Sequence, residues 1–290
     1  MKKTLCVAQL ALALVCAAIA LPASADDQQP QISEETPYVP SPTIVVETML
    51  RMASVHANDF VIDLGSGDGR IIITAAQEYK ARGFGVDYNA RLVAIANDNA
   101  RKAGVADRAS FIEQDIFKTD LGKASVITMY LLPEYNAALK PKLLALKPGT
   151  RIVSHDYGID DWEPDAKEKV AVPEKTVGLE KASWIYFWEV PAQVQGHWHS
   201  QIPTAHGSTD MELDLTQHNQ KLEGTAQIHA TTVAIERPLL KGNTLSFQLT
   251  DGKRILHFQG RVSAGQVSGR LLSGNKKLPW RARRLDPHKA

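Results

Sequence analysis

The chain has 290 residues, with 33 Lys and Arg against 32 Asp and Glu, and two cysteines. That length accommodates two domains, and the near-balanced charge excludes the strong basic field of a general nucleic-acid binder. No nucleic acid is expected as a partner, and electrostatics alone names no other.

Residues 1 to 25 carry Lys2-Lys3, an apolar stretch from Leu5 to Leu21, and Ala23-Ser-Ala25 ahead of Asp26. A basic start, an apolar middle and a small-x-small site are the parts of a secretory signal peptide, so export is expected, to a periplasm, with cleavage after Ala25. Both cysteines, Cys6 and Cys16, would leave with it, and Val15 ahead of Cys16 argues against lipidation. The apolar run nears the length that spans a bilayer, which makes an uncleaved membrane anchor the weaker alternative. Residues 26 to 36 are polar enough for a flexible lead.

Next, Pro37-Tyr-Val-Pro-Ser-Pro42 joins an amphipathic stretch, Thr43 to Met52. The prolines favour an extended segment, and Val45, Val46, Met49 and Leu50 recur at helical spacing. Taken alone, the segment is a strut that packs one helix on a sheet.

Phe60-Val-Ile-Asp-Leu-Gly-Ser-Gly-Asp-Gly-Arg-Ile-Ile-Ile73 then spells strand, tight turn, helix. Glycines 65, 67 and 69 permit positive φ and bring backbone amides close to a ligand. A phosphate-cradling loop needs Lys and Ser or Thr after its last glycine, and is excluded. The dinucleotide fingerprint would need glycine where Arg70 stands, and is disfavoured. Asp-x-Gly-x-Gly-x-Gly resembles the turn with which class I methyltransferases hold S-adenosylmethionine (SAM); an unliganded glycine turn is the alternative. Two acids weigh against that alternative. Asp87 ends the apolar run Gly83-Phe-Gly-Val-Asp87 about 20 residues on, where a Rossmann-like fold puts the acceptor for ribose hydroxyls. Asp115 closes the run Ala109 to Asp115 in the same way.

From Phe60 to Val153 short β-rich runs alternate with helical stretches: strands at 60–64, 83–87, 109–114, 125–130 and 150–155, helices at 71–80, 90–103 and 133–146. The pattern predicts a mostly parallel, doubly wound sheet, and Trp184 to Val190 alternates well enough to close it. Ligands in such sheets lie beyond the carboxyl ends of the strands, where Asp63, Asp87, Asp115, Tyr130 and Asp156 all fall.

Residues 37 to 190 are similar to class I SAM-dependent methyltransferases. More narrowly, they resemble the mitochondrial protein-lysine methyltransferases of the ATP synthase c-subunit and the adenine nucleotide translocase, with their bacterial relatives. The stretches that carry this are Pro37-Tyr-Val-Pro40, Asp63 to Ile71, Leu131-Leu-Pro133, Arg151-Ile-Val-Ser154 and Trp162-Glu-Pro164. Two departures stand out: Asp87 where that group usually has Glu, and a further hundred residues after the catalytic region. The resemblance implies that SAM is bound by Tyr38, Thr43, Asp63, Gly65, Ser66, Gly67, Asp87, Tyr88, Asp115, Ile116 and Tyr130, with Tyr38 and Thr43 in a lid and Asp115 reading the adenine amino group. It implies a protein or small-molecule methyl acceptor: a protein lysine, or another amine or oxygen nucleophile.

Methyl transfer asks mainly for alignment and exclusion of water. An amine acceptor must also lose a proton, for which His155 and Asp156 are the candidates, beside Tyr130 and Glu134. Taken singly, His155 reads as a capping or core histidine. Export conflicts with a cytoplasmic methyl donor that does not cross bilayers unaided. A transporter could supply it, the fold could bind another nucleoside-like ligand, or the segment does not export. A second function class therefore stands beside the transferase: an exported binding or envelope-interaction protein that keeps the fold as a scaffold.

Residues 196 to 290 lack helical periodicity. Alternating runs at 211–215, 222–228, 245–249, 256–258, 267–271 and 278–282, separated by turn signals, predict seven or eight strands in a small all-β antiparallel barrel or sandwich. A lipocalin-like interior could hold an apolar ligand. His197 and His199 share a strand face but lack further ligands nearby, so no metal is expected. Lys276, Lys277, Arg281, Arg283 and Arg284 form a basic end that reads as a solvated face.

The mature chain is expected to begin at Asp26 and to contain no cysteine. Intact mass after cell fractionation tests this: an exported fraction that retains Met1 or its Nα-formyl form would reject cleavage.

Overall fold

A computed structural model describes residues 38–178, 180–204, 207–252 and 254–285. The expected signal peptide, the lead at 26–36 and Pro37 lie outside the described residues.

The first half is a three-layer α/β arrangement. Strands β1 (Phe60–Leu64), β2 (Arg82–Asp87), β3 (Ala109–Glu113), β4 (Val126–Met129) and β5 (Arg151–His155) run parallel, joined by helices α2 (Arg70–Tyr79), α3 (Ala90–Lys102) and α4 (Pro133–Leu144). Helix α1 (Thr43–Met52) precedes them and buries Val45, Val46, Met49 and Leu50. Strand β7 (Ala182–Glu189) adds antiparallel to β5, and β6 (Ala166–Ala171) pairs antiparallel with β7, giving the order β3-β2-β1-β4-β5-β7-β6. Both faces are covered, which is why β1, β4 and β5 read as nearly continuous apolar runs. The order reverses between β1 and β4, the crevice where such sheets take ligands.

Local chemistry sets the boundaries. Asn89 caps α3, its Oδ1 accepting from the amides of Arg91 at 3.0 Å and Leu92 at 3.2 Å. Pro133 occupies the first turn of α4, where its missing N–H is not needed. Gly149, at φ +92°, turns the chain into β5. Strand β6 is absent from the sequence reading because its residues, Ala-Lys-Glu-Lys-Val-Ala, do not alternate apolar and polar. It is an edge strand held by β7, and charges on its open side suit that position.

The second half is a nine-stranded antiparallel sheet, one or two strands more than expected. Its strands are β8 (Gly196–Thr204), β9 (Gly207–His218), β10 (Lys221–Ile228), β11 (Thr231–Ala234), β12 (Glu236–Lys241), β13 (Thr244–Asp251), β14 (Arg254–Ser263), β15 (Gln266–Ser273) and β16 (Lys276–Arg284). The order is β11-β10-β9-β8-β16-β15-β14-β13-β12, and the sheet curls until β10 lies against β12 and β11 against β13, a nearly closed barrel. The strands missed in sequence, β11 and β12, are short, and β12 carries Pro238 and a bulge between Glu236 and Leu239. The interior is filled: Phe247 stacks on Phe258 at 4.8 Å, and Trp280 meets both edge-on at 5.7 and 5.1 Å. This packed core takes the place of the open lipocalin-like interior. His197 and His199 pair separately with Asp214 and Asp210, and among the described residues no group of three or more His, Cys, Asp or Glu gathers to hold a metal.

Polar contacts tie the halves together. Gly242 accepts from the Ala192 amide at 2.7 Å, Lys221 pairs with Glu163 at 2.6 Å, and His218 with Asp161 at 3.1 Å.

Trp280 is 1 % exposed and donates its indole N–H to Ser200 Oγ at 2.8 Å. Trp280→Ala is expected to destabilise the chain by about 3–5 kcal/mol through the cavity and the lost bond, read from urea unfolding. A loss within about 1 kcal/mol would show that the barrel core is not packed as described.

Candidate active site

One cavity, about 460 Å³, opens beyond the carboxyl ends of β1, β2 and β4. Its floor is the glycine turn. Gly65 and Gly67 hold φ +76° and +53°, and a Cβ on either would overlap Leu131 or the Tyr38 ring. The amides of Gly65, Ser66, Gly67 and Gly69 are taken within the protein, whereas the sequence reading has the turn present its amides to a ligand. Gly65 and Ser66 both donate to Val86 O at 2.9 Å, and Gly67 donates to Asp87 Oδ2 at 2.8 Å. The reason is the parallel pairing of β1 with β2, which brings the unsatisfied end of β2 beside the turn.

Polarity in the cavity comes instead from carboxylates. Asp63 is buried, accepts from Thr128 Oγ1 at 2.7 Å, and has its pKa pushed up to about 7 by burial, with the Asp87 and Asp68 charges adding and the Thr128 bond opposing. Asp87 accepts from the amides of Gly67 and Asn89 and keeps lone pairs toward the cavity. Glu113 lines it at the end of β3. Tyr88, Leu92, Ile116 and Leu131 supply flat or apolar walls.

The strap Tyr38–Pro42 covers one side. Tyr38 lies on Gly67, and Arg70 ties the strap down by donating to Ser41 O at 2.7 Å. The same guanidinium grips Asp68, Nε to Oδ1 at 2.9 Å and Nη2 to Oδ2 at 2.6 Å. Ser41, Asp68, Arg70, Glu113, Leu131 and Tyr135 line the cavity without having been named as site residues from the sequence. The signals available were the position of Asp68 and Arg70 inside the glycine motif and the Leu-Leu-Pro run after β4.

Of the residues expected at the site, Tyr38, Asp63, Gly65, Ser66, Asp87, Tyr88, Ile116 and Tyr130 line the cavity. Thr43 starts α1, exposed and away from the lining. Gly67 contributes through Asp87. Asp115 lies two residues past β3 and closes a turn, accepting from the Phe117 amide at 2.8 Å; its side chain is not part of the lining.

His155 and Asp156 stand behind the wall. His155 is 1 % exposed, with one ring nitrogen bonded to Ser41 Oγ and the other to Ser183 Oγ, both at 2.9 Å. Burial lowers its pKa to about 4 against the opposing Asp156 charge, so the ring is neutral at physiological pH. Asp156, at φ +59°, bonds Lys175 Nζ at 2.8 Å and the Trp184 amide at 3.0 Å. Tyr130 stands between this pair and the cavity, its ring 3.9 Å from that of His155 and its hydroxyl 3.5 Å from Asp156. Burial and the Asp156 charge raise its pKa, so it serves as a neutral donor and acceptor.

A SAM-sized zwitterion fits this donor set. The cavity joins a carboxylate cluster for a cationic amine to flat apolar walls for a purine, and Ser66 Oγ is buried at its floor with no hydrogen-bond partner.

The ANTKMT methyltransferase domain profile matches residues 63–166. A protein-lysine N-methyltransferase of Saccharolobus islandicus (strain REY15A) is 48 % identical over 136 residues, covering 46 % of this chain and 84 % of that protein. The Mus musculus lysine N-methyltransferase of the ATP synthase c-subunit is 35 % identical over 131 residues, 44 % of this chain and 52 % of that protein. The chain thus spans about half the length of the mouse relative. Among solved structures, an RNA methyltransferase from Salinibacter ruber in complex with S-adenosyl-L-homocysteine is 43 % identical, covering 54 % of this chain and 96 % of that one, with a TM-score of 0.48.

Because Asp63 ionises near pH 7 folded and near 3.8 unfolded, the folded state binds the extra proton between those values. Stability is therefore expected to fall as pH rises from about 4 to 7, by up to about 4 kcal/mol, and to level off above. Asp63→Asn should remove that slope in urea titrations at several pH values; an unchanged slope would move the effect to another group.

Proposed function

This chain belongs to the SAM-dependent protein-lysine N-methyltransferase family, and from that premise we propose that its cavity binds SAM and directs the methyl group to the side-chain amine of a protein lysine. The observation that carries this reading is the convergence of buried Asp63, the glycine turn and Asp87 on one cavity at the switch point of the sheet. The family likeness supports an enzyme over the exported scaffold also considered from sequence.

SAM supplies an activated methyl group on a sulfonium. The chain's residues do the rest. Asp63 balances the ammonium of the donor's amino-acid end, releasing its own proton as it does so. Asp87 takes the ribose hydroxyls with the lone pairs its two amide bonds leave free. Tyr88, Leu92 and Ile116 flank the purine. Tyr130, at the acceptor side, has a protonated hydroxyl that orients an amine without taking its proton. His155, neutral and bonded on both nitrogens, holds the Tyr130 ring rather than acting as a base. The lysine ammonium therefore loses its proton to solvent on entering a site that disfavours a second cation, and alignment supplies most of the acceleration.

Incubation of the purified chain with methyl-labelled SAM and a lysine-rich protein, followed by total hydrolysis, is expected to place the label in Nε-methyl-lysine. Asp87→Ala should weaken SAM binding at least about tenfold, the loss of one charge-assisted bond, with the circular dichroism spectrum intact. Label in another residue, or wild-type affinity in that variant, would reject the acceptor or the site respectively.

A further inference from the structure

The basic end of the sequence lies outside the cavity lining, and folding rearranges it. Arg284 lies over Trp198, 4.9 Å from the ring centroid. Lys277, Arg281 and Arg283 instead alternate on the outer side of β16, opposite buried Trp280 and Ala282. The ladder then adds two arginines from distant sequence. Ser268 of β15 is flanked by Arg261 of β14 and Arg281 of β16, and Arg270 pairs with Gln259 and Pro279. All five cations are exposed, and among the described residues none of them forms an ion pair. The outward positions of β13 to β16 contain no Asp or Glu.

Neighbouring strands lie about 4.8 Å apart, so Arg261 and Arg281 leave the sheet about 10 Å from each other. That is comparable to a Debye length at physiological ionic strength, so their repulsion is only partly screened and the face carries a positive potential. The net charge of the whole chain is only +1. Asp210, Glu212 and Asp214 point outward from β9, two strands from β16, where Arg283, His199 and Glu212 stand in register and bound the basic face on that side.

The shape and chemistry of the face choose the partner. It is broad, partly exposed Leu272 stands between His257 and Lys277, and Ile255, 52 % exposed, lies at the start of β14, the end away from Arg261. Its outward positions on β13 to β16 hold no Phe, Tyr or Trp, which removes the stacking platform that single-stranded nucleic acid uses. Guanidinium forks suit phosphate oxygens, and aliphatic Leu272 beside Lys277 suits the layer just beneath lipid headgroups.

We propose that the outer face of β14–β16 docks the protein on a bilayer containing anionic phospholipid. The inference is independent of the transferase reading. The measurement is the ratio of the full chain's affinity for phosphatidylcholine vesicles with about 30 % phosphatidylserine to that for phosphatidylcholine alone, so that apolar insertion by any other segment cancels. The ratio is expected to be at least about tenfold at about 0.1 M salt and to collapse at about 0.5 M. Arg261→Glu with Arg281→Glu should bring it to about one, and Arg261→Gln with Arg281→Gln partway there, with methyl transfer and circular dichroism unchanged. A wild-type ratio near one, or a ratio untouched in both double variants, overturns the proposal. So does duplex DNA binding as tightly as the anionic vesicles and lost in the same variants, which would make the face a general polyanion site.

Discussion

The hydrogen bond from the Gly67 amide to Asp87 joins the two elements on which the cavity depends. It bridges the turn after β1 to the end of β2, and it works only because the two strands are parallel and in register, Asp63 beside Gly85 and Leu64 beside Val86. With the turn drawn to β2, Asp63 is sealed beneath it and Tyr38 can rest on Gly67. A side chain at Gly67 would break both, since its φ of +53° and the Tyr38 ring leave no space for a Cβ.

The electrostatic character of the site follows from that closure. On the donor side, burial leaves Asp63 ready to exchange a proton for a cation. On the acceptor side His155 is satisfied within the protein by two serines, and Asp156 by Lys175 and the Trp184 amide. A strained backbone at Asp156 is held by those same partners, as residues in the left-handed region require. Charge is thus concentrated around Asp63 and Asp87 and neutralised behind Tyr130, at His155 and Asp156.

Much of this was legible in the sequence, for physical reasons. Strand ends in a doubly wound sheet point at the crevice, so Asp63, Asp87 and Tyr130 could be placed beside it from the strand pattern and the glycine turn, although the same rule also put Asp156 there. Side chains that turn away from a strand end could not: Asp115 looks like Asp87 in sequence, but its carboxylate folds back on the Phe117 amide. The grip of Arg70 on Ser41 spans 29 residues and no local pattern predicts it. Burial hid the nature of His155, whose neighbours come from the strap and from β7. Strands β6 and β11 escaped because partners, not their own residues, hold them in place.

The strap is fastened at Ser41 twice, by its carbonyl to Arg70 and by its hydroxyl to His155. Lifting it would break one charge-assisted bond and one neutral bond, on the order of 2–4 kcal/mol together, and would also take Tyr38 off Gly67. Under the proposed function, a nucleoside would pass more easily by half-exposed Tyr88 than beneath the fastened strap. Tyr130 follows β4 and Tyr88 follows β2, with β1 between them, so passage by Tyr88 would leave the Tyr130 flank to the proposed protein acceptor and neither visitor would wait for the other to clear the doorway.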